Sequence, residues 1–239
     1  MSSFLEAVKD LLFPPTCLGC ARRLVTSRPP LFCADCLAEV VYLGSPCCTC
    51  CGTPFPIGTD RLCGSCLVQA PAFDCARSLL LYQPPVATLL RTLKFGGQLT
   101  GLTTLAALVT QSPLLEHFTP PDYIVPVPLH RNRLRQRGFN QARIIAAACL
   151  PHWQDRVKID LLLRNRPTVP QTHLSGEQRR SNLKKAFFTA HDVQLAEKQI
   201  LLVDDIFTTG STVNECSRTL RRAGAARIEV FTLAMSLAP

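Results

Sequence analysis

Between Ile200 and Thr212 the chain reads ILLVDDIFTTGST. An apolar run meets two adjacent acids, Asp204 and Asp205. Two apolar residues separate them from Thr208-Thr209-Gly210-Ser211-Thr212, and a helical pattern follows over 212–223. A phosphate group needs N–H donors and positive potential, and a helix N-terminus supplies both. Gly210 lets the backbone approach closely, and the hydroxyls of Thr208, Thr209, Ser211 and Thr212 add neutral donors. The acids suit another part of the same molecule. They can accept hydrogen bonds from vicinal sugar hydroxyls and help hold Mg2+ through water. An ordinary N-capped helix explains the Thr/Ser cluster. It does not explain two acids at the end of a buried strand, where an unpaired charge is costly. A Walker loop is excluded because no lysine follows the glycine.

Two arginine-rich stretches carry further candidates. His130–Arg143, HRNRLRQRGFNQAR, holds five arginines and no acid. It reads as a pyrophosphate or polyanion site with Arg131 or Arg137 as donors, as a set of nucleic-acid phosphate contacts, or as a solvated basic helix face. Beside the acid pair and its loop, the anion site is favoured. The segment from Arg164 to Asn182 carries Arg164, Arg166, Gln171, His173, Arg179 and Arg180. It has no clear period and reads as a polar loop that could close over a ligand. Arg164 and Arg179 join the anion candidates. One histidine, His173, is weak evidence for a general base, and an exposed connection without a role is the rival reading.

The third constellation is metal-binding. The chain has 13 cysteines, ten of them from Cys17 to Cys66. In a reducing compartment such clustering argues for metal rather than disulfides. Cys17-x-x-Cys20, Cys33-x-x-Cys36 and Cys63-x-x-Cys66 are clean knuckles. Cys47-x-x-Cys50 and Cys48-x-x-Cys51 compete for the fourth. Cys48 and Cys51 are preferred, because Gly52 then follows the second ligand and can turn the backbone under the metal. Sequential pairing gives one site from Cys17, Cys20, Cys33 and Cys36, and another from Cys48, Cys51, Cys63 and Cys66; interleaved pairing stays open. Four thiolates leave no position for water, so both Zn2+ sites are expected to be structural. Cys75, Cys149 and Cys216 read as buried apolar residues.

These groups must be positioned by two unlike parts. Residues 1–67 are the cysteine-rich part, opened by a short amphipathic helix through Phe4, Leu5, Val8, Leu11 and Leu12 that Pro14 and Pro15 stop. VQAPAFD, 68–74, reads as a linker or crossing segment. From 74 to 239 the texture changes. Strands are predicted at 77–82, 123–127, 159–163, 186–189, 199–203 and 227–235, and helices at 84–94, 99–109, 141–150 and 212–223. Their alternation specifies an α/β domain with a mostly parallel sheet flanked by helices. No run approaches the ~18–20 apolar residues that span a bilayer, and the N-terminus is too short and charged for a signal peptide. The expectation is a cytoplasmic protein without membrane insertion. The formal charge is +9, and two Zn(Cys)4 centres would lower it to roughly +5.

VDDIFTTGST resembles the 5-phosphoribosyl-1-pyrophosphate (PRPP) motif of type I phosphoribosyltransferases. That resemblance implies that Asp204 and Asp205 contact the ribose hydroxyls, that Thr208 to Thr212 cradle the 5-phosphate, and that Mg2+ accompanies the pyrophosphate. With the N-terminal knuckles, LKFGG (93–97), VPVPLHRNRLRQRGFNQA (125–142) and the segment 164–187, the whole chain resembles the ComF (competence protein F-like) family. The family implies a double zinc ribbon joined to a type I phosphoribosyltransferase-like fold. It also implies a role in DNA uptake during natural transformation, with single-stranded DNA and other competence proteins as partners. Three functions follow as expectations: a phosphoribosyltransferase of unassigned acceptor, a single-stranded DNA-binding protein using the arginine surfaces, and a PRPP sensor without catalysis. Aromatic residues make up 7% of the chain and none interleave the arginine run densely, which gives base stacking little support.

Overall fold

The computed structural model describes residues 14–95, 100–165, 186–190 and 193–237. The predicted helix before Pro14 and most of the polar loop, with Arg166, Gln171, His173, Arg179 and Arg180, lie outside the described residues. In chain order the elements are α1 (Ala34–Ala38), α2 (Gly64–Val68), β1 (Cys75–Leu81), α3 (Val86–Phe95), α4 (Thr100–Thr110), β2 (Tyr123–Pro126), α5 (Arg131–Arg137), α6 (Gln141–Cys149), β3 (Leu162–Arg164), β4 (Phe187–Thr189), β5 (Gln199–Phe207), α7 (Ser211–Arg222) and β6 (Arg227–Met235).

Four strands form one sheet in the order β1-β6-β5-β2, every neighbouring pair parallel. Both faces are covered, which is why these strands read as nearly continuous apolar runs. The two-residue period of a strand sorts its side chains between two cores. Ile124, Leu201, Val203, Phe231 and Leu233 enter one, with Leu89, Leu90, Leu105 and Ile145 from α3, α4 and α6. Val125, Ile200, Leu202, Ile228 and Val230 enter the other, with Val213, Cys216 and Leu220 of α7. β3 and β4 make a separate antiparallel pair. Among the described residues, no helix is long and apolar enough to cross a membrane.

One boundary differs from the sequence expectation in a way that shapes the site. β5 does not end at Val203 but continues to Phe207. Its neighbour β2 stops early: Pro126 is the last partner, opposite Val203, and the Val127 N–H closes the ladder on the Val203 carbonyl at 2.9 Å. β6 runs on instead, pairing Ile206 with Ala234 and Phe207 with Met235. Among the described residues, the acids therefore stand on a stretch paired with a strand on one side only, beyond the carboxyl end of β2.

The cysteine-rich part is tied to the sheet by hydrogen bonds and shared cores. The Leu43 N–H donates to the Leu79 carbonyl and the Leu81 N–H to the Val41 carbonyl, both at 2.9 Å, so residues 41–43 add antiparallel to the β1 edge. Cys17, Phe32 and Cys36 join the core of Leu79, Leu80 and Val86. Cys48, Cys51 and Cys66 join that of Phe73 and Ala76. The stretch 68–74 is a crossing segment pinned to α7. The Ala72 N–H donates to Asn214 Oδ1 at 2.7 Å, and Arg221 pairs with Asp74.

Candidate ligand site and metal centres

The loop after β5 is built by three constraints. Gly210 takes a left-handed conformation, φ +69°, and a Cβ there would stand 2.6 Å from the Phe207 Cζ. Phe207 is itself fixed, edge-on to Phe73 at 6.2 Å between ring centres. Thr209 and Ser211 then bind each other, hydroxyl to hydroxyl, at 2.7 Å. α7 opens at Ser211 with Gly210 as its N-cap, no capping side chain and no acid in its first turn. The Ser211 N–H donates to Thr209 Oγ1 at 3.4 Å, and the positive end of this 12-residue helix has no acid of its own first turn to offset it. Thr208 and Thr209 are exposed, while Ser211 and Thr212 are half-buried.

Asp204 and Asp205 are half-buried at the open side of β5, with the Asp205 N–H donating to Asp204 Oδ1 at 2.9 Å. Two arginines from distant parts of the chain, Arg137 and Arg164, feel their charge. Burial and the neighbouring Arg133 lower the Arg137 pKa, and the charge of Asp205 opposes them. Burial and Arg133 likewise lower the Arg164 pKa, and the charge of Asp204 opposes them. Cys216 on α7 is completely buried, and burial, reinforced by Asp204, keeps its thiol protonated. It is a core residue, as its apolar surroundings on the helix require.

The HRNRLRQRGFNQ stretch becomes legible as a helix, a turn and a second helix. His130 caps α5, its Nδ1 accepting from the Asn132 N–H at 3.2 Å. Residues four apart share a helix face. Arg133 and Arg137 are half-buried, Arg133 close enough to Arg137 and Arg164 to repel both, and Arg131 and Arg135 are exposed on another side. Gly138, φ +77°, ends α5 in the left-handed conformation that side chains disfavour. Asn140 starts α6: its Oδ1 accepts from the Ala142 N–H and its Nδ2 donates to the Val127 carbonyl, both at 3.0 Å. Gln141 is 3% exposed, and its Oε1 accepts from Arg137 Nη1 at 3.1 Å. Of the sequence candidates, Arg137 and Arg164 are brought to the acid pair, Arg131 faces outward and Arg179 lies outside the described residues. Sequence reasoning missed Arg133. Its four-residue spacing from Arg137 was the available signal, once a helix there was granted.

The two metal centres repeat one design. The sulfurs of Cys17, Cys20, Cys33 and Cys36 lie within 4.8 Å of one another, and so do those of Cys48, Cys51, Cys63 and Cys66. Tetrahedral zinc with Zn–S near 2.3 Å requires sulfurs about 3.8 Å apart. Cys20 and Cys33 are 3.7 Å apart, and Cys51 and Cys63 are 3.6 Å apart. In each centre the first sulfur accepts two backbone N–H groups: Cys17 from Gly19 and Cys33, and Cys48 from Cys51 and Cys63. Burial works against ionisation there, but these donors outweigh it and bring Cys17 and Cys48 to about 6. The donor set thus fits zinc in chemistry and size, and the pairing is sequential. Gly52 turns beneath the second centre at φ +74°, where a Cβ would meet the Ala76 carbonyl oxygen at 2.6 Å. Cys47 and Cys50 stand outside both groups. The Cys47 N–H instead donates to Asp60 Oδ1 at 2.7 Å.

The class is therefore a double zinc ribbon fused to a parallel α/β domain that gathers acids, arginines and a phosphate-type loop at its strand ends. Residues 8–67 match the family model described as the double zinc ribbon domain. Over 224 residues the chain is 34% identical to competence protein F of Haemophilus influenzae, covering 91% of this chain and 96% of that one. Over 233 residues it is 36% identical to the DNA utilization protein YhgH of Salmonella typhi, covering 95% and 100%. The chain belongs to the competence protein F (ComF) family. Among solved structures, a purine phosphoribosyltransferase from Pyrococcus horikoshii is similar over 55% of this chain and 70% of its own, at 20% identity and a TM-score of 0.32, a likeness too slight to build on.

Proposed function

We propose that this chain binds PRPP with Mg2+ and acts in the cellular handling of imported DNA. The observation that carries the ligand reading is the extension of β5 past β2. It puts Asp204 and Asp205 on an open strand edge, shortly before a glycine-anchored loop and a helix N-terminus, with Arg137 and Arg164 beside them. The acids accept from the ribose 2′ and 3′ hydroxyls and help hold Mg2+. Residues 208–212 receive the 5-phosphate, and Arg137 and Arg164 receive the pyrophosphate, with Arg179 as a further candidate. Were a nucleophile to attack the anomeric carbon, these residues would act by orienting the ribose and neutralising the departing pyrophosphate. The acceptor is most naturally a nitrogen nucleophile, and a PRPP sensor would use the same contacts without that step. The DNA role rests on competence protein F and the DNA utilization protein YhgH, relatives matched over nearly their whole length. Two structural Zn2+ ions held by the eight cysteines brace the ribbons, and the cytoplasm is the compartment that suits both PRPP and thiolate-bound zinc. The two parts are assigned to residues 1–67 and 74–239. Calorimetry with PRPP and Mg2+ tests the ligand reading: wild type binds and Asp204→Asn/Asp205→Asn does not, whereas equal binding by both proteins sinks it.

A second reading is favoured by one specific observation. The arginines of α5 are divided, and Arg131 and Arg135 are exposed away from the acids. That outward face suits the phosphates of single-stranded DNA, with affinity falling steeply as salt rises. Arg131→Ala/Arg135→Ala is expected to weaken DNA binding and flatten its salt dependence while leaving PRPP binding intact. Unchanged DNA affinity and salt slope would remove that face from consideration.

A further inference from the structure

Gln141 is 3% exposed at the first position of α6, yet it does not serve the helix. Asn140 already caps the first turn and ties the turn to β2. The Gln141 amide instead serves Arg137, its Oε1 accepting from Arg137 Nη1 at 3.1 Å. Its Nε2 makes no hydrogen bond in the described structure. Turning the amide over would set its NH2 against the guanidinium N–H, donor against donor, so the contact with Arg137 fixes its orientation. A buried donor without an acceptor is destabilising, and a leucine of similar volume would avoid that cost. A buried polar group at such a cost is what a site that trades fold stability for function would contain.

We propose that Gln141 is the positioning residue for Arg137, holding the guanidinium beside Asp205 so that the site binds a pyrophosphate-bearing sugar phosphate. This rests on the PRPP reading above. Arg137 is the last residue of a seven-residue helix and is followed by a glycine, so its own backbone gives it little support. The Gln141 carbonyl, anchored on α6, supplies what the turn cannot.

The test is calorimetry with PRPP and Mg2+, and with inorganic pyrophosphate and Mg2+, on wild type, Gln141→Leu, Gln141→Glu, Arg137→Gln and Arg137→Gln/Gln141→Leu, with thermal unfolding of each. Gln141→Leu is expected to bind about tenfold more weakly, the worth of one well-placed charge-assisted contact, while its unfolding midpoint stays level or rises. Gln141→Glu keeps the shape but neutralises Arg137, and loses more. The double variant binds no more weakly than Arg137→Gln, because the glutamine acts through the arginine. A wild type that binds alongside a Gln141→Leu that binds equally well overturns this inference alone. So do additive losses in the double variant, and so does an affinity loss matched by a fall in the midpoint. A wild type that binds neither ligand overturns the PRPP reading and this inference with it.

Discussion

Gly210→Ala isolates what the phosphate-type loop demands of its backbone. At φ +69° an L-residue costs about 1–2 kcal/mol relative to glycine. The new methyl would also stand 2.6 Å from Phe207 Cζ and 3.3 Å from both Cε atoms. The ring has little freedom to retreat, because it is buried and edge-on to Phe73. Overpacking of this kind adds about 1–3 kcal/mol. The combined loss of about 2–5 kcal/mol lowers the unfolding midpoint by roughly 4–20 °C at the ~2–4 °C per kcal/mol usual for this chain length. PRPP affinity falls at least about tenfold, since the distorted turn no longer presents the N–H groups of Ser211 and Thr212. Gly210→Ala/Phe207→Leu separates the two causes. Removing the ring relieves the clash but not the backbone strain, so the double variant should lose less than the sum of the single changes. Thermal unfolding and calorimetry on Gly210→Ala, Phe207→Leu and the double variant decide it. A Gly210→Ala protein with both an unchanged midpoint and unchanged affinity would refute the reasoning.

The metal centres give a stoichiometric prediction. Cys48→Ser, and Cys17→Ser independently, should each lower bound zinc from about two to about one per chain by elemental analysis, while Cys47→Ser and Cys50→Ser retain both; zinc loss from Cys50→Ser would reassign the second centre. Acid should release the metal as well. The N–H donors hold Cys17 and Cys48 at about 6, below the ordinary thiol value, so the stability that these thiolates contribute is present above the ordinary value. It is lost as pH falls through about 6, and zinc binding moves that loss to still lower pH. Loss of zinc at neutral pH, or its retention in strong acid, would contradict the assignment.

Local features were readable from sequence because their chemistry is local. Cys-x-x-Cys spacing is dictated by the reach of a single turn, so the four knuckles could be drawn before any fold was known, whereas their sequential pairing came only from the structure. Gly52 pointed to Cys48 and Cys51 because it could turn the backbone under the metal, and the structure has it in that turn at φ +74° beside a group that holds both cysteines; the crowding by the Ala76 carbonyl was not readable from sequence. The strand–acid–loop–helix order of 199–222 was likewise legible. What escaped was decided by partners remote in sequence. β5 reaches Phe207 because β6 pairs with Ile206 and Phe207, and nothing in DDIF itself signals a strand. α5 carries no apolar period, only Leu134 among polar residues, so it could be read as a basic run but not as a helix with two distinct faces. The approach of Arg137 and Arg164 to neighbouring acids depends on a helix after β2 and on β3, a strand outside the main sheet, and no spacing rule contains that.

The most direct test of the central claim is calorimetry of PRPP with Mg2+ on wild type and on Asp204→Asn/Asp205→Asn, a pair of isosteric changes that remove both carboxylates and leave the loop intact. Two charged hydrogen-bonding groups are worth at least roughly a hundredfold in affinity. The account predicts saturable, Mg2+-dependent binding to the wild type and a loss of that size in the variant, with both zinc ions retained. Equal affinities in the two proteins, or wild-type binding indifferent to Mg2+, would contradict it.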